Sequence, residues 1–300
     1  MSQFRAVCLV PLLSVGLAFA TERVAHETER SSIKHWDAPA ISSPNWESHP
    51  AFDPRTGDLW FVRSDPKFSG WHLLVAHCER GSWQTPVESP ISRPGLEADP
   101  WFSADGKTLW FISTRRTGSK KSADLDIYRT ERAADGTWAE PVPLPAPVNS
   151  DAAEWFPRPA ADGWLYFGSR RPGGLGKDDI WRARQRDGQW VVENLGPGFN
   201  SAADESEFQP APDGRWGIIS TNVGLVRAVA TEHGWRREQP FPDQNGSEIG
   251  PLISPDSGSF MFSRDAGDGA SGELFISQVS AGQMSPDSWT PKCPHDPSGR

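Results

Sequence analysis

Glutamates followed at short range by proline are the residues of this 300-residue chain whose type and spacing could do chemistry. They recur at steps of 50, 57, 53 and 41 residues, as Glu47, Glu97, Glu154, Glu207 and Glu248. If a repeated fold brings them to one axis with Asp99, their carboxylates repel one another unless a cation, a basic group or a proton relieves them. A hard divalent cation such as Ca²⁺, which takes oxygen ligands, would suit such a ring.

A structural role is the competing interpretation of these glutamates. Each could accept backbone N–H groups or pair with an arginine that follows the next strand, and the candidate arginines are Arg63, Arg116, Arg170 and Arg264. A residue that recurs once per repeat is typical of a structural role, because each repeat is one structural unit with the same packing needs. A site is more often built from what differs between repeats.

Aromatic and histidine side chains near the glutamates suggest sugar binding. Trp46 and Trp155 flank their glutamates, Trp101 follows its proline, and His49 stands two residues after the first glutamate. Tryptophan rings beside carboxylates are typical of sugar-binding surfaces, since the rings stack on pyranose faces and the acids accept hydrogen bonds from hydroxyls. A histidine-based metal site is not expected, because His49 has no second histidine at a ligand-like spacing. Common hydrolase and metal motifs are missing from the sequence, and no glutamate pair is singled out for glycoside hydrolysis.

The segments around the glutamates predict the fold that must position them. Each glutamate element is followed by a turn and an apolar strand, with Asp-Gly turns at 105–106, 162–163 and 213–214, which are strong hairpin signals. A third strand and a further hairpin leading to a tryptophan complete about 50 residues, which is the pattern of a β-propeller blade. The 28 Gly and 28 Pro argue against long helices. The sequence therefore predicts an all-β propeller of five four-stranded blades over residues 36–291.

Ring closure and cysteine pairing stay open at this point. Trp36 and Trp289 both resemble the outer strand that would complete the last blade and tie the two chain ends together. Cys78 and Cys293 could form a disulfide if the first and last repeats are neighbours in a closed ring, or both could be free.

The repeat pattern reads E-x-x-P-x-F-S-x-D-G-K-x-L-W-F-x-S, followed by a D-I-Y or D-I-W strand. It fits best at residues 97–113 with 126–128, and at 154–169 with 179–181. This pattern resembles the WD-like propeller repeats of the TolB type over residues 36–291, and it departs in the first and fourth repeats. The six blades and additional N-terminal domain of TolB itself are not evident. The resemblance implies a stand-alone exported propeller, in a family that scaffolds envelope complexes.

The N-terminus is typical of a secretory signal peptide over residues 1–20, with Arg5, an apolar stretch and a small-x-small site at 18–20. Residues 21–35 would then be a linker and residues 292–300 a C-terminal tail. No later segment approaches transmembrane length, so we expect a periplasmic or secreted protein without a membrane span after cleavage. The net charge of −9 and the lack of a basic stripe argue against nucleic acid. The protected edges of a closed ring predict a monomer.

The repeats and the missing catalytic motifs predict a non-catalytic exported propeller that presents its channel mouth or a face to a protein, peptide or glycan at the cell envelope. The alternative is a carbohydrate-active enzyme, a glycoside hydrolase or polysaccharide lyase, that uses acids and tryptophans at the channel mouth. No catalytic residue, metal ligand or cofactor is assigned, apart from a divalent cation such as calcium at that mouth. The ligand-binding residues expected there are Glu47, Glu97, Asp99, Glu154, Glu207, Glu248, Trp46, Trp101, Trp155 and His49.

Overall fold

The computed structural model describes residues 33–115, 124–267, 271–279, 289 and 291–294. The regular structure of these residues is all β-strand, so the predicted all-β propeller fold is confirmed. The Asp-Gly turns form as expected, with Gly106, Gly163 and Gly214 at φ of 65°, 80° and 68°, a left-handed conformation that glycine adopts without strain. The predicted signal peptide and residues 295–300 lie outside the described residues. Within the described part of the chain, no helix has the length and hydropathy to span a membrane.

The first part of the chain forms seven short strands. They are β1 (Lys34–His35), β2 (Trp46–Phe52), β3 (Leu59–Ser64), β4 (His72–Ala76), β5 (Cys78–Glu79), β6 (Ser82–Trp83) and β7 (Val87–Glu88). β2, β3, β4 and β7 pair in that order, and we call this run blade 1. β5 and β6 form a separate two-stranded ribbon.

Three four-stranded antiparallel sheets follow, blades 2 to 4. Blade 2 contains β8 (Glu97–Phe102), β9 (Thr108–Ser113), β10 (Asp126–Glu131) and β11 (Val142–Pro143). Blade 3 contains β12 (Glu154–Pro159), β13 (Leu165–Ser169), β14 (Asp179–Arg186) and β15 (Gln189–Asn194). Blade 4 contains β16 (Glu205–Pro210), β17 (Trp216–Thr221), β18 (Gly224–Thr231) and β19 (Gly234–Pro240).

Blade 5 combines both ends of the described chain. Its strands β20 (Ile249–Ile253), β21 (Ser259–Asp265) and β22 (Gly272–Gln278) are completed by β1, which pairs antiparallel with β22. The Trp36 N–H donates to the Leu274 carbonyl (2.8 Å), so the Trp36 segment, and not Trp289, supplies this outer strand. β1 falls within the segment predicted to be a linker.

The apolar core lies between neighbouring blades. Successive residues of a strand point to opposite faces: Trp60 packs with Phe111 and Tyr128 of blade 2, whereas Phe61 packs with Met261 of blade 5. Because the packing of Phe61 against Met261 joins the last blade to the first, it closes the ring. Each blade is thus covered on both faces, which a single blade could not achieve alone.

A disulfide fixes the C-terminal segment to the ribbon that follows β4. Cys78 and Cys293 are bonded, with 5.4 Å between their Cα atoms, so the pairing that the sequence left open is present. Pro294 packs on Gly57, where an added Cβ would stand 2.6 Å from the proline ring. Trp289 meets Phe52 edge to face, with 6.3 Å between ring centroids.

Candidate active site

The first strand of each blade lines the central channel. β2 contacts β8, β8 contacts β12, β12 contacts β16, β16 contacts β20, and β20 contacts β2. A circle of contacts among first strands means that these are the innermost strands of the propeller. Side chains that these strands turn toward the axis therefore meet one another, although they are far apart in sequence.

Bulges in these strands aim particular side chains at the axis. The pairing register shifts in the middle of β2, β8, β12 and β20, and the bulged residues His49, Asp99, Phe156 and Gly250 have φ of 51°, 57°, 51° and 61°. A left-handed backbone is uncommon for residues other than glycine, and a bulge redirects its side chain. In β16 the bulge lies between Glu205 and Glu207. The innermost strands thus differ from one another at the bulged position, which is turned toward the channel.

Four of the predicted glutamates are engaged in holding the fold together. All four are buried and are bound within their own blades, Glu47 by Arg63 Nε (2.7 Å), Glu97 by Arg115, Glu154 by Arg171 Nη2 (3.0 Å) and Glu248 by the Asn245 N–H (2.7 Å). Burial raises the pKa values of Glu47, Glu97 and Glu154. The first three glutamates fasten the start of the innermost strand to the end of the second strand, and Glu248 fastens it to the preceding loop. This is the structural role that the sequence left open.

The arginine partners differ in part from the expected ones. Arg63 pairs with its glutamate as predicted, and Arg264 lies 3.9 Å from Glu248. Arg170 was a wrong choice, because it binds Asp178 (Nε to Oδ1, 2.7 Å) and leaves Glu154 to the next arginine. Arg116 lies outside the described residues.

Glu207 does not belong to this structural set. Its place in blade 4 is taken by Glu205, which is buried and bound by Ser201 Oγ (2.6 Å) and by Arg237. The proline spacing misled the alignment, because Pro210 stands five residues after Glu205, whereas the prolines of the other blades stand three residues after their glutamates. The shift of two residues releases Glu207 from the structural set and turns it to the channel.

His49, Asp99 and Glu207 meet at the axis from blades 1, 2 and 4. His49 Nε2 lies 2.9 Å from Glu207 Oε1 and 3.3 Å from Asp99 Oδ1, so this nitrogen carries a proton, because carboxylates accept and do not donate when ionised. Nδ1 lies 2.8 Å from Ser48 Oγ. The outer oxygens are fixed by backbone donors, the Phe156 N–H to Asp99 and the Gly250 N–H to Glu207, both at 2.8 Å.

The surroundings shift the pKa values of Asp99 and Glu207 in opposite directions. Burial raises the pKa of Asp99 above its ordinary value, although the positive charge of His49 opposes this. Burial also acts to raise the pKa of Glu207, but the charge and hydrogen bond of His49 and the Gly250 N–H bring it below the ordinary value. The pKa of His49 is raised, since the two carboxylates outweigh the effect of its burial. Opposite shifts in neighbouring acids are typical of an acid/base pair.

Arg158 faces the two acids of this cluster, and sequence reasoning missed it. It is almost completely buried, lies over the Phe156 ring at 3.5 Å and the Trp101 ring at 4.7 Å, and attracts both Asp99 and Glu207, while burial lowers its own pKa to about 9. With His49 protonated, two cations balance two carboxylates. A signal was present, because the third repeat carries a charged residue where the others have Ala51, Trp101, Gln209 and Leu252.

A cavity of about 330 Å³ opens above the cluster. His49, Asp99 and Glu207 lie at its base, and its walls include Phe68, Trp71, Trp155, Arg170 and Asp178. Its volume falls at the lower end of the range for small-molecule sites. The two aromatic residues of blade 1 and the Arg170–Asp178 pair were not expected from the sequence.

The three tryptophans predicted to bind a ligand lie at different places in the structure. Trp155 lines the cavity, Trp46 meets Phe68 edge to face at 5.9 Å, and Trp101 lines a different cavity of about 780 Å³ beside Phe52 and Trp289. Trp101 therefore does not share the cavity of the acids.

No group of three or more His, Cys, Asp or Glu side chains is arranged to hold a metal ion in the described residues. The glutamates for which a cation was expected are held by arginines and N–H groups instead. The divalent cation stays a prediction.

Comparisons with known proteins identify the fold. No protein-family model matches the chain, and no curated protein matches it in sequence. Among solved structures, a family 117 glycoside hydrolase from Zobellia galactanivorans is 12% identical, with a TM-score of 0.51 over 86% of this chain and 93% of that chain. An alpha-L-arabinofuranosidase from Fusarium graminearum is 10% identical, with a TM-score of 0.47 over 74% and 72%. Prolyl oligopeptidase B from Galerina marginata is 11% identical, with a TM-score of 0.44 over 71% and 30%, so the chain spans less than a third of that enzyme. At these identities the likeness concerns the fold.

The predicted non-catalytic binding propeller is contradicted. The similar structure from Zobellia galactanivorans, with a TM-score of 0.51, is by name an enzyme that acts on carbohydrates, as in the alternative prediction. Within this chain, four glutamates leave the list of candidate acids, whereas Asp99, Glu207 and His49 remain together at the base of a cavity.

Proposed function

We propose that this protein is a glycoside hydrolase with Asp99 and Glu207 as its acid/base pair. One observation carries the proposal: two buried carboxylates meet at one imidazole on the channel axis, with pKa values moved in opposite directions, at the base of a cavity with aromatic walls. The reaction class is the one named for the Zobellia structure of similar fold.

Each acid has a role that follows from its surroundings. Asp99 takes up a proton at higher pH than an ordinary aspartate, so it can accept one from the His49 imidazolium 3.3 Å away and pass it to the glycosidic oxygen as the bond to the anomeric carbon breaks. Glu207 is held ionised by His49 and the Gly250 N–H, so its carboxylate can attack the anomeric carbon. Water then releases the sugar, with Asp99 acting as the base.

The spacing of the acids predicts the stereochemistry. One oxygen of each acid contacts His49 Nε2, at 2.9 and 3.3 Å, so these oxygens can be no farther apart than the sum of the two distances. Inverting glycosidases need roughly 6.5–9.5 Å between their carboxyl groups to admit a water. We therefore expect hydrolysis with retention of the anomeric configuration.

The test measures hydrolysis of 4-nitrophenyl glycosides and polysaccharides by the wild type, Asp99→Asn and Glu207→Gln. We expect each substitution to lower kcat/KM by roughly 10²–10⁴-fold. Asp135→Asn, in an exposed turn of blade 2, is the matched control and should leave the rate unchanged. Azide added to Glu207→Ala should restore turnover as a glycosyl azide. A wild type that releases no sugar, or full activity in both acid variants, would contradict the proposal.

Three further points belong to the proposal. The disulfide supports export, since disulfides persist in oxidising compartments, and it agrees with the signal peptide that the sequence predicts. From the sequence pattern alone, we also propose that the repeats are of the TolB type. The bound partner of the enzyme is then its glycan substrate.

A further inference from the structure

A tight turn in blade 1 presents an aromatic residue to the proposed active site. The turn joins β3 to β4, and its Asp65 side chain accepts hydrogen bonds from the Lys67 N–H (2.8 Å), the Ser69 N–H (2.9 Å) and Ser69 Oγ (2.6 Å). The Phe68 N–H donates to the Asp65 carbonyl (2.9 Å). These bonds fix the conformation of the turn from within.

Phe68, at the tip of this turn, has a strained backbone. Its φ of 55° lies in the left-handed region, where a bulky residue is a genuine outlier. Trp71 Nε1 donates to the Phe68 carbonyl (3.0 Å), which holds the residue in this conformation. Strain of this kind persists only where the surrounding structure enforces it, and it clusters at sites of function.

The strained backbone positions the Phe68 ring above the acids. The ring stacks toward His49, with 6.5 Å between centroids and 29° between planes, and it packs against Trp71 at 5.3 Å and Trp46 at 5.9 Å. Phe68 is only partly buried and lines the cavity. One side of the aromatic group is therefore supported by tryptophans, while the cavity remains open to a ligand beside it.

Trp155 is a poorer stacking surface than Phe68. The Arg170 guanidinium lies over its ring at 4.9 Å, and an added Cβ on Gly168 would stand 2.2 Å from Trp155 Nε1. The ring is thus covered by the guanidinium and packed tightly against β13. Its role is to hold the cavity wall.

We propose that Phe68 is the residue on which the substrate's sugar ring stacks, and that this ring is neutral. The inference rests on the proposed hydrolase function. An apolar ring face suits Phe68 because the C–H groups of a pyranose face can pack on an aromatic ring. A neutral sugar suits the charges, because Arg170 at the wall is paired with Asp178 and the cations below balance Asp99 and Glu207.

The backbone at Phe68 allows a test that separates binding from folding. Glycine adopts positive φ without strain, so Phe68→Gly removes the ring and relieves the backbone together. Because the relieved strain offsets the lost packing on Trp46 and Trp71, we expect a Tm close to that of the wild type. The KM should be roughly tenfold higher with kcat little changed, as for the loss of a contact made equally to substrate and transition state. A residue with a merely structural role would lower the Tm and leave KM unchanged.

The matched control is Asp187→Gly, which relieves the same left-handed strain (φ 52°) in an exposed turn of blade 3. It should leave KM unchanged, and Phe68→Tyr should retain the wild-type KM. The substrate is the 4-nitrophenyl glycoside that the wild type hydrolyses fastest, from a panel that includes uronides. An active wild type whose KM is insensitive to Phe68→Gly, or that prefers a uronide, overturns this inference alone. A wild type that hydrolyses no glycoside overturns the proposed function as well.

Discussion

Replacing Arg158 by methionine tests whether the four charges on the channel axis act as one neutral group. Methionine keeps most of the side-chain volume but removes the cation that faces Asp99 and Glu207. His49 alone then balances two carboxylates in a region almost closed to solvent. Removing one partner of a buried charged group typically costs about 3–5 kcal/mol, because the remaining charge is left uncompensated.

One contribution offsets part of this cost. Arg158 Nε is buried without a hydrogen-bond partner among the described residues, and losing such a group recovers about 1 kcal/mol. The net destabilisation of Arg158→Met should therefore be roughly 2–4 kcal/mol. For a domain of this size each kcal/mol lowers the Tm by about 2–4 °C, so we expect a decrease of roughly 5–15 °C.

The assay is urea unfolding and calorimetry of the wild type, Arg158→Met, Asp99→Asn and the double variant. Asp99→Asn removes one carboxylate, so it should restore the charge balance that Arg158→Met disturbs. The double variant should be more stable than the two single effects predict, by at least about 1 kcal/mol. Arg93→Met, at an exposed pair with Glu140, is the control and should change stability by less than about 1 kcal/mol. Additive effects, or a loss in Arg158→Met no larger than in Arg93→Met, would refute the neutral-group argument.

Three further results are expected. Because the pKa of His49 is raised in the folded state, its protonation stabilises the fold fully below pH 6.5, and this stabilisation is lost as the pH rises through the folded-state pKa. His49→Gln should abolish this loss when the free energy of unfolding is measured with urea across that pH range. Glu205→Gln should lower the Tm by several degrees while the folded protein keeps its kcat, because Glu205 serves the fold and Glu207 the reaction. An unchanged Tm with a lost kcat would mean that Glu207 belongs to the structural set after all. Cys78→Ser with Cys293→Ser should cost about 2–4 kcal/mol, since the bond closes a loop of 215 residues, and an unchanged urea midpoint would contradict it.

The fold was predictable because it is repeated. Strand order, the Asp-Gly turns and the aromatic pairs at Trp60 and Phe61 recur at nearly constant spacing, and each recurrence reinforces the others. The repeat could not decide how the two chain ends meet, since Trp36 and Trp289 are both followed closely by proline, as the outer strands of other repeats are. The pairing of β1 with β22 depends on the whole ring closing, which no local pattern reports.

The site was predictable only in part. His49 and Asp99 were noticed because they adjoin the repeated glutamates, but the glutamates received most of the weight and serve the fold. Arg158 and Phe68 were missed because their roles depend on burial and on a left-handed backbone, neither of which sequence spacing reveals. The displaced proline of β16, Pro210, hid the equivalence of Glu205 with Glu154.

The bulged position explains why the constant and the variable residues of this repeat have different roles. A left-handed residue other than glycine costs of order 1–3 kcal/mol, so a side chain there must contribute something that glycine cannot. In blades 1 and 2 the side chains are His49 and Asp99, and in blade 3 Phe156 packs on Arg158. Blade 5 has Gly250 at this position, where an added Cβ would stand 2.7 Å from the backbone nitrogen of His49. The buried glutamates hold each strand start in place, and the bulge two residues later can then carry the strain that aims the reactive groups. His49→Gly and Asp99→Gly should therefore relieve backbone strain and abolish hydrolysis together, and activity surviving in both would separate the bulges from the reaction.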